Sequence, residues 1–157
     1  MTRPSDEWIG QVYDRYGAAL YRYAVMVLAD PAGAADVVQT VFVALLRRRS
    51  RPDVDAHYLR KAVRNECFSA LRVRRRDVLA SAAPLLETVE GQSDRPEERL
   101  ALEQALRELP PEQREVVHLK AFEGMTFQEI ADLIGESINT VASRYRYGIE
   151  KLRAYLT

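Results

Sequence analysis

The segment from Met125 to Arg144, MTFQEIADLIGESINTVASR, constrains the fold more than any other stretch of this chain. Thr126 followed three residues later by Glu129 is a capping box: the hydroxyl takes one free backbone N–H and the carboxylate reaches back to another. A helix therefore starts at this point. Phe127, Ile130, Ala131 and Ile134 recur at helical spacing and give it one apolar face. Gly135 follows, where a left-handed residue ends a helix with no Cβ penalty. Ser137 is a fresh N-cap, and Ile138, Val141 and Tyr145 are expected on the inner face of a second helix. Asn139, Thr140, Ser143 and Arg144 are left on its outside. Ala131 is small where the two helices cross. Such a pair presents a rigid polar rod, the geometry by which a helix enters the major groove of duplex DNA. An ordinary helical hairpin in a bundle uses the same caps, so the exposed Asn, Thr, Ser and Arg carry the DNA reading.

A net charge of zero looks wrong for such a chain, but the average hides an asymmetry. Between Arg47 and Arg76 eleven basic residues face three acids, a net +8. Between Asp77 and Glu115 ten acids face four arginines, a net −6. A basic block followed by an acidic one suggests a nucleic-acid surface and a segment kept off it. For the acidic block alone, a solvated surface is the simpler reading.

The first half is helical. Ser5 is the expected N-cap of a long helix with Asp6 and Glu7 in its first turn. Trp8, Ile9, Val12, Tyr16, Ala19, Leu20, Tyr23, Ala24 and Val27 form its apolar stripe. Asp30-Pro31 restarts the chain as cap and first helical residue, and Val37, Val38, Val41, Phe42 and Leu45 continue on a second helix. Pro52 marks a loop. A third helix runs from about Ala56 to Arg76, with Leu59, Val63, Cys67, Ala70 and Leu71 inward and Arg60, Lys61, Arg64 and Arg72 on the other side. Residues 77–96 have linker chemistry, with Leu85, Leu86 and Val89 available for docking. Helical periodicity returns from Leu100 to Leu109, and Pro111 opens a helix that Gly124 ends. No strand-like alternation appears. The expected fold is all-α: two small helical domains, 5–76 and 97–157, joined by a flexible acidic linker, 77–96.

Other function classes are weakly supported. No apolar run approaches the roughly 20 residues that span a bilayer, and the N-terminus lacks an apolar signal core. A cytoplasmic location is expected. Cys67 is alone, so no intrachain disulfide forms, and with His57 and His118 as the other soft ligands no closed zinc site is expected. Carboxylates are scattered along amphipathic helices, without the acid–base pair that an enzyme needs. No catalytic residue, metal or cofactor is expected. A conventional helix-turn-helix regulator binding duplex operator DNA accounts for the C-terminal half but leaves the basic block unexplained.

At this point the residues resemble a known family. Asp36-Val37-Val38-Gln39-Thr40-Val41-Phe42 is similar to the polymerase-binding helix of bacterial sigma factors. Tyr58-Leu59-Arg60-Lys61-Ala62-Val63-Arg64-Asn65, followed by Leu71-Arg72 and an Arg run, resembles their promoter-melting helix. Leu109-Pro110-Pro111-Glu112-Gln113-Arg114-Glu115-Val116, then Gly124-Met125-Thr126 and Glu129-Ile130-Ala131, matches the start of their C-terminal DNA-binding domain. The two-domain layout resembles the extracytoplasmic-function group of the sigma-70 family, from about Tyr13 to Leu156. The resemblance implies a sigma region-two bundle and a region-four helix-turn-helix in a transcription initiation factor.

By the same resemblance, Asp36, Gln39 and Phe42 would face core RNA polymerase. The loop from Arg49 to Asp55, including Arg49 and Arg51, would capture the opened minus-ten strand with Arg60, Lys61, Arg64, Asn65 and Arg72. A recognition helix from Ser137 to Tyr147 would read the double-stranded upstream minus-thirty-five element through Ser137, Asn139, Thr140, Ser143, Arg144 and Arg146. The group also implies an anti-sigma factor as partner. With the chain ending at Thr157, no appended regulatory domain is expected. The linker is either a segment lying in a basic polymerase channel or a solvated tether. Four residues depart from the family pattern: Thr40 for the usual Glu, Ser69 for Asp, Asn139 for Gly and Ala142 for Lys. Tyr145 and Tyr147 are open to core, interface or DNA-facing roles.

Overall fold

Asp30 and Pro31 begin the second helix as their order implies. Extended Asp30 (φ −155°, ψ 101°) accepts a hydrogen bond from the Gly33 N–H at 3.2 Å, and Pro31 fills the first helical position, where no donor is required. The computed structural model describes residues 4–48, 54–74, 85 and 95–157. All regular structure among them is helical, and the chain divides into two compact units, residues 1–80 and 81–157.

The first unit holds α1 (Pro4–Leu28), α2 (Pro31–Leu46) and α3 (Ala56–Arg74), each packed on the other two. Leu20, Tyr23, Ala24 and Val27 of α1 are buried with Val37, Val38, Val41 and Leu45 of α2 and Leu59, Val63 and Cys67 of α3. Helix α1 starts at Pro4, so Ser5 lies inside it rather than capping it; proline suits the first turn, where its missing N–H has no partner to lose.

The unit is also tied at its rim. The Arg74 guanidinium pairs with the Asp30 carboxylate, joining the end of α3 to the start of α2. Partial burial opposes the charge on Asp30, but the Gly33 N–H, Arg74 and the Ala32 N–H outweigh it and hold the carboxyl below its ordinary value. A depressed folded-state pKa contributes stability above the ordinary carboxylate range, and that stability is lost as pH falls through the folded value. Asp30→Asn keeps a good cap but loses the pair. Because Arg74 is 39% exposed, solvent screening limits the expected loss at neutral pH to about 0.2–1 kcal/mol. Denaturant titrations should show the gap between the two proteins shrinking as pH falls below the ordinary carboxylate pKa and closing below the depressed folded-state value; a gap that persists there contradicts this.

The second unit holds α4 (Pro96–Glu108), α5 (Pro111–Val117), α6 (Phe127–Ile134) and α7 (Ile138–Leu156). Helix α7 is its spine, packing on α4, α5 and α6 in turn. At Gly148 a Cβ would sit 2.9 Å from Val117 Cγ2, so glycine permits the close approach of α5 and α7. Buried Arg114 donates to the Leu106 and Leu109 carbonyls at 3.3 and 2.9 Å, closing the C-terminal end of α4. Burial, aided by the charge on Arg107, pushes its pKa down to about 10, with Glu112 opposing. Glu103 and Glu115 are buried as well, so the acidic block is not wholly a solvated surface.

The helix opened by Pro111 departs from its expected course. It widens into a π turn at His118–Phe122, which buries His118 and stacks its ring on Phe122 at 5.8 Å. Helical spacing in the sequence does not announce that change of period. Of the expected linker, 77–96, only Leu85, which is buried, Arg95 and Pro96 fall within the described residues.

Candidate nucleic-acid interface

The caps of the C-terminal helix pair set its geometry. The Glu129 N–H donates to Thr126 Oγ1 at 3.1 Å and the Thr126 N–H donates to Glu129 Oε1 at 3.0 Å, completing the capping box. Gly135 (φ +74°) ends α6, its N–H donating to the Ala131 carbonyl at 2.9 Å. Ser137 caps α7: its Oγ accepts from the Thr140 N–H at 3.1 Å and donates to Thr140 Oγ1 at 2.9 Å. The Ser137 hydroxyl is thus used within the cap, and the outward polar stripe begins at Asn139.

Asn139, Ser143 and Arg146 recur at i, i+4 and i+7 on one face of α7, with Asn139 and Arg146 exposed and Ser143 half-buried. Arg144 lies at the edge of that face, its Nη2 3.7 Å from Glu136 Oε1. Val141 is buried on the opposite side. Ile138, expected inward, is 45% exposed, while Val141 in the same turn is buried. Tyr145 packs edge-on against Phe127, with centroids 5.6 Å apart, so it belongs to the α6–α7 contact. Tyr147 is exposed beneath the Arg146 guanidinium, 5.2 Å from its ring centroid.

In the first unit, α3 gathers the basic residues on one face. His57, Lys61, Asn65 and Arg72 are exposed there, and Arg60 and Arg64 are half-buried. Phe68 lies within this face under Arg64, 4.5 Å from guanidinium to ring centroid. Arg48 similarly lies over Tyr58 at 5.8 Å, and Arg72 donates to Ser69 Oγ at 2.9 Å. Cations interleaved with aromatic rings are the chemistry that holds single-stranded nucleic acid. Arg49 and Arg51 lie outside the described residues.

Helix α2 presents Asp36 and Gln39 to solvent one turn apart, with Leu46 exposed further along. Phe42 is placed differently from its neighbours. It is buried, with the Tyr13 ring edge-on at 5.1 Å, so it supports α2 from beneath. Thr40 donates back to the Asp36 carbonyl at 2.8 Å, a contact that follows the helix instead of reaching out as a glutamate would.

Comparisons with known proteins follow the same division. Residues 12–77 match the model for sigma-70 region 2, and residues 99–152 match that for sigma-70 region 4. The chain is 33% identical to the extracytoplasmic-function RNA polymerase sigma factor SigL of Mycobacterium tuberculosis, over 92% of this chain and 86% of that one. The chain belongs to the sigma-70 family, in its extracytoplasmic-function group. It is therefore an RNA polymerase sigma factor, a transcription initiation factor rather than an enzyme. It is also 30% identical to sigma factor SigE of Mycolicibacterium smegmatis, covering 96% of this chain but 61% of that longer relative. In fold it is similar to the sigma factor RpoE solved with the anti-sigma factor NepR from Bartonella quintana, with a TM-score of 0.75, 23% identity, and coverage of 94% and 95%.

Three residues of this sigma factor were not among those its sequence singled out. Phe68 was hidden as one apolar residue in a basic run, though it stands four residues after Arg64 and hence on the same face. Arg74, counted with the other cations, is engaged by Asp30. Glu136 looked like turn composition, and its ion pair spans eight residues, beyond local helical pairing.

Proposed function

We propose that this sigma factor holds two promoter elements at once, through surfaces carried on separate units. Residues 5–76 bind core RNA polymerase through Asp36 and Gln39, supported by Phe42. They capture the opened minus-ten strand through Arg60, Lys61, Arg64, Asn65 and Arg72, with Arg49 and Arg51 in the adjoining loop. Residues 97–157 read the upstream duplex through Asn139, Ser143, Arg144 and Arg146, with Ser137 and Thr140 fixing the helix that carries them. Residues 77–96 tether the two.

The observation that carries this reading is the contrast between the two surfaces. The α3 face alternates cations with rings, as in Arg64 over Phe68, which suits unstacked bases. The α7 face is a capped rod with an amide and guanidinium, which suits base edges in a major groove. Neutral overall charge is consistent with a subunit that polymerase delivers to DNA.

A cytoplasmic location follows from partnership with polymerase, and among the described residues no helix is long and apolar enough to cross a membrane. An anti-sigma factor is the expected inhibitory partner, by analogy with the RpoE–NepR complex.

The deciding experiment is transcription with purified core polymerase, with start sites mapped on genomic templates. Promoter-specific initiation that requires the added chain is expected. Replacing Asp36 and Gln39 with Ala should weaken polymerase affinity about tenfold, the scale of one or two interface contacts, while start-site choice stays the same. Unaltered affinity would remove α2 from the polymerase surface.

A further inference from the structure

We propose that Glu136 is a specificity-determining residue that poises Arg144 for base reading and suppresses sequence-independent binding to phosphates. The inference rests on α7 being the recognition helix and adds to it an acid that none of the assigned DNA contacts includes.

The placement of the carboxylate is built into the turn. Glu136 sits between left-handed Gly135 and the N-cap Ser137. The Gly135 and Glu136 N–H groups both donate to the Ala131 carbonyl, at 2.9 and 3.3 Å. The backbone that carries the acid is therefore held at the N-terminal end of α7, three residues before Asn139. Its side chain is 44% exposed and that of Arg144 is 25% exposed.

The separation matters. At 3.7 Å, Nη2 and Oε1 attract each other but lie beyond hydrogen-bonding distance. The guanidinium is drawn to one side while its N–H fork stays available for a bidentate base contact. As a stabilising device the pair contributes little, since solvent screens an exposed ion pair. Its larger effect falls on DNA. A fixed negative charge within a Debye length of the phosphates, about 8–10 Å, penalises every duplex equally. An oriented Arg144 rewards only the matching base. The uniform penalty cancels between right and wrong sites and only keeps binding to any duplex low, so the gap between them comes from the orientation of Arg144.

The test uses holoenzyme reconstituted from the full chain and core polymerase. Binding is measured to duplexes selected from a library randomised in the upstream element, and to the same duplexes with that element scrambled. Glu136→Gln should raise affinity for scrambled duplex about threefold to tenfold, the usual scale for a charge at an interface rim. It should steepen the salt dependence by about one unit and lower the selected-to-scrambled ratio by a similar factor, without moving the thermal midpoint. In an Arg144→Ala background the substitution should no longer change the ratio through orientation, leaving only the rise common to both duplexes. If Glu136→Gln leaves both affinities unchanged while Arg144→Ala alters sequence preference, the role of Glu136 is wrong and the recognition-helix reading stands. If Arg144→Ala itself leaves preference unchanged, the recognition-helix reading fails and this inference with it.

Discussion

Holoenzyme carrying Asn139→Ala and Arg144→Ala together is expected to lose most of its upstream-element preference while retaining its minus-ten preference. An amide and a guanidinium are the side chains that pair bidentately with adenine and guanine, each worth about 1–3 kcal/mol of discrimination. The double substitution should therefore reduce the selected-to-scrambled binding ratio by roughly a hundredfold or more, given about tenfold per 1.4 kcal/mol. The fold should survive. Asn139 is exposed, Arg144 lies at the helix edge, and Val141 keeps its place in the core. Ser137→Ala provides the contrast, since its hydroxyl is occupied with Thr140. It should cost about 1 kcal/mol of stability through the lost cap and leave the base preference in place. Competition binding across a duplex library measures both. An undiminished upstream preference in the double variant would move DNA reading away from α7.

Tyr23→Ala should unfold the first unit. Tyr23 is fully buried in α1 and is the bulkiest of the wholly enclosed side chains. Truncating a large buried aromatic ring costs about 3–5 kcal/mol. Whole domains are commonly stable by only about 5–15 kcal/mol, and small ones sit low in that range. The proposed polymerase binding through α2 and strand capture through α3 should disappear together, because both helices pack on α1. Hydrogen exchange should show α1, α2 and α3 losing protection while α6 and α7 keep theirs, as their core is drawn from Ile130, Leu133, Val141 and Leu152. Protection lost equally in α7 would mean that the two cores do not melt separately.

Local signals in the sequence accounted for several helix ends and most of the apolar stripes. Thr126, Glu129, Gly135 and Ser137 specify their caps through contacts spanning three or four residues, so composition and spacing suffice. The same holds for Asp30-Pro31. Features that join distant residues were not legible. Arg74 reaches Asp30 across forty-four positions, and Glu136 reaches Arg144 across a turn whose direction only the fold determines. Ile138 fits a helical stripe by spacing but is 45% exposed at the first position of α7, where spacing alone does not say what covers it. Phe42 carried a surface role by family resemblance, while its size and spacing put it in the core. The π turn at His118–Phe122 inserts one residue into a helical period, which pattern counting reads as continuous helix.

Helix α7 joins the proposed reading surface and the support of its unit in one element. Its 19 residues make a rod about 28 Å long at 1.5 Å per residue. Its leading turns carry the outer polar stripe over a buried Val141, and further along Gly148 packs closely on Val117 of α5. The reading head and the keel are thus one beam. Strain applied to the head by a bound duplex passes straight into the unit's interior, with no hinge to absorb it. Occupancy of the groove should therefore register as slower exchange at Gly148 and Leu152, far from any base. Promoter taste, for its part, can drift only along the outer stripe, because every inward position on the beam is already committed to holding the unit together.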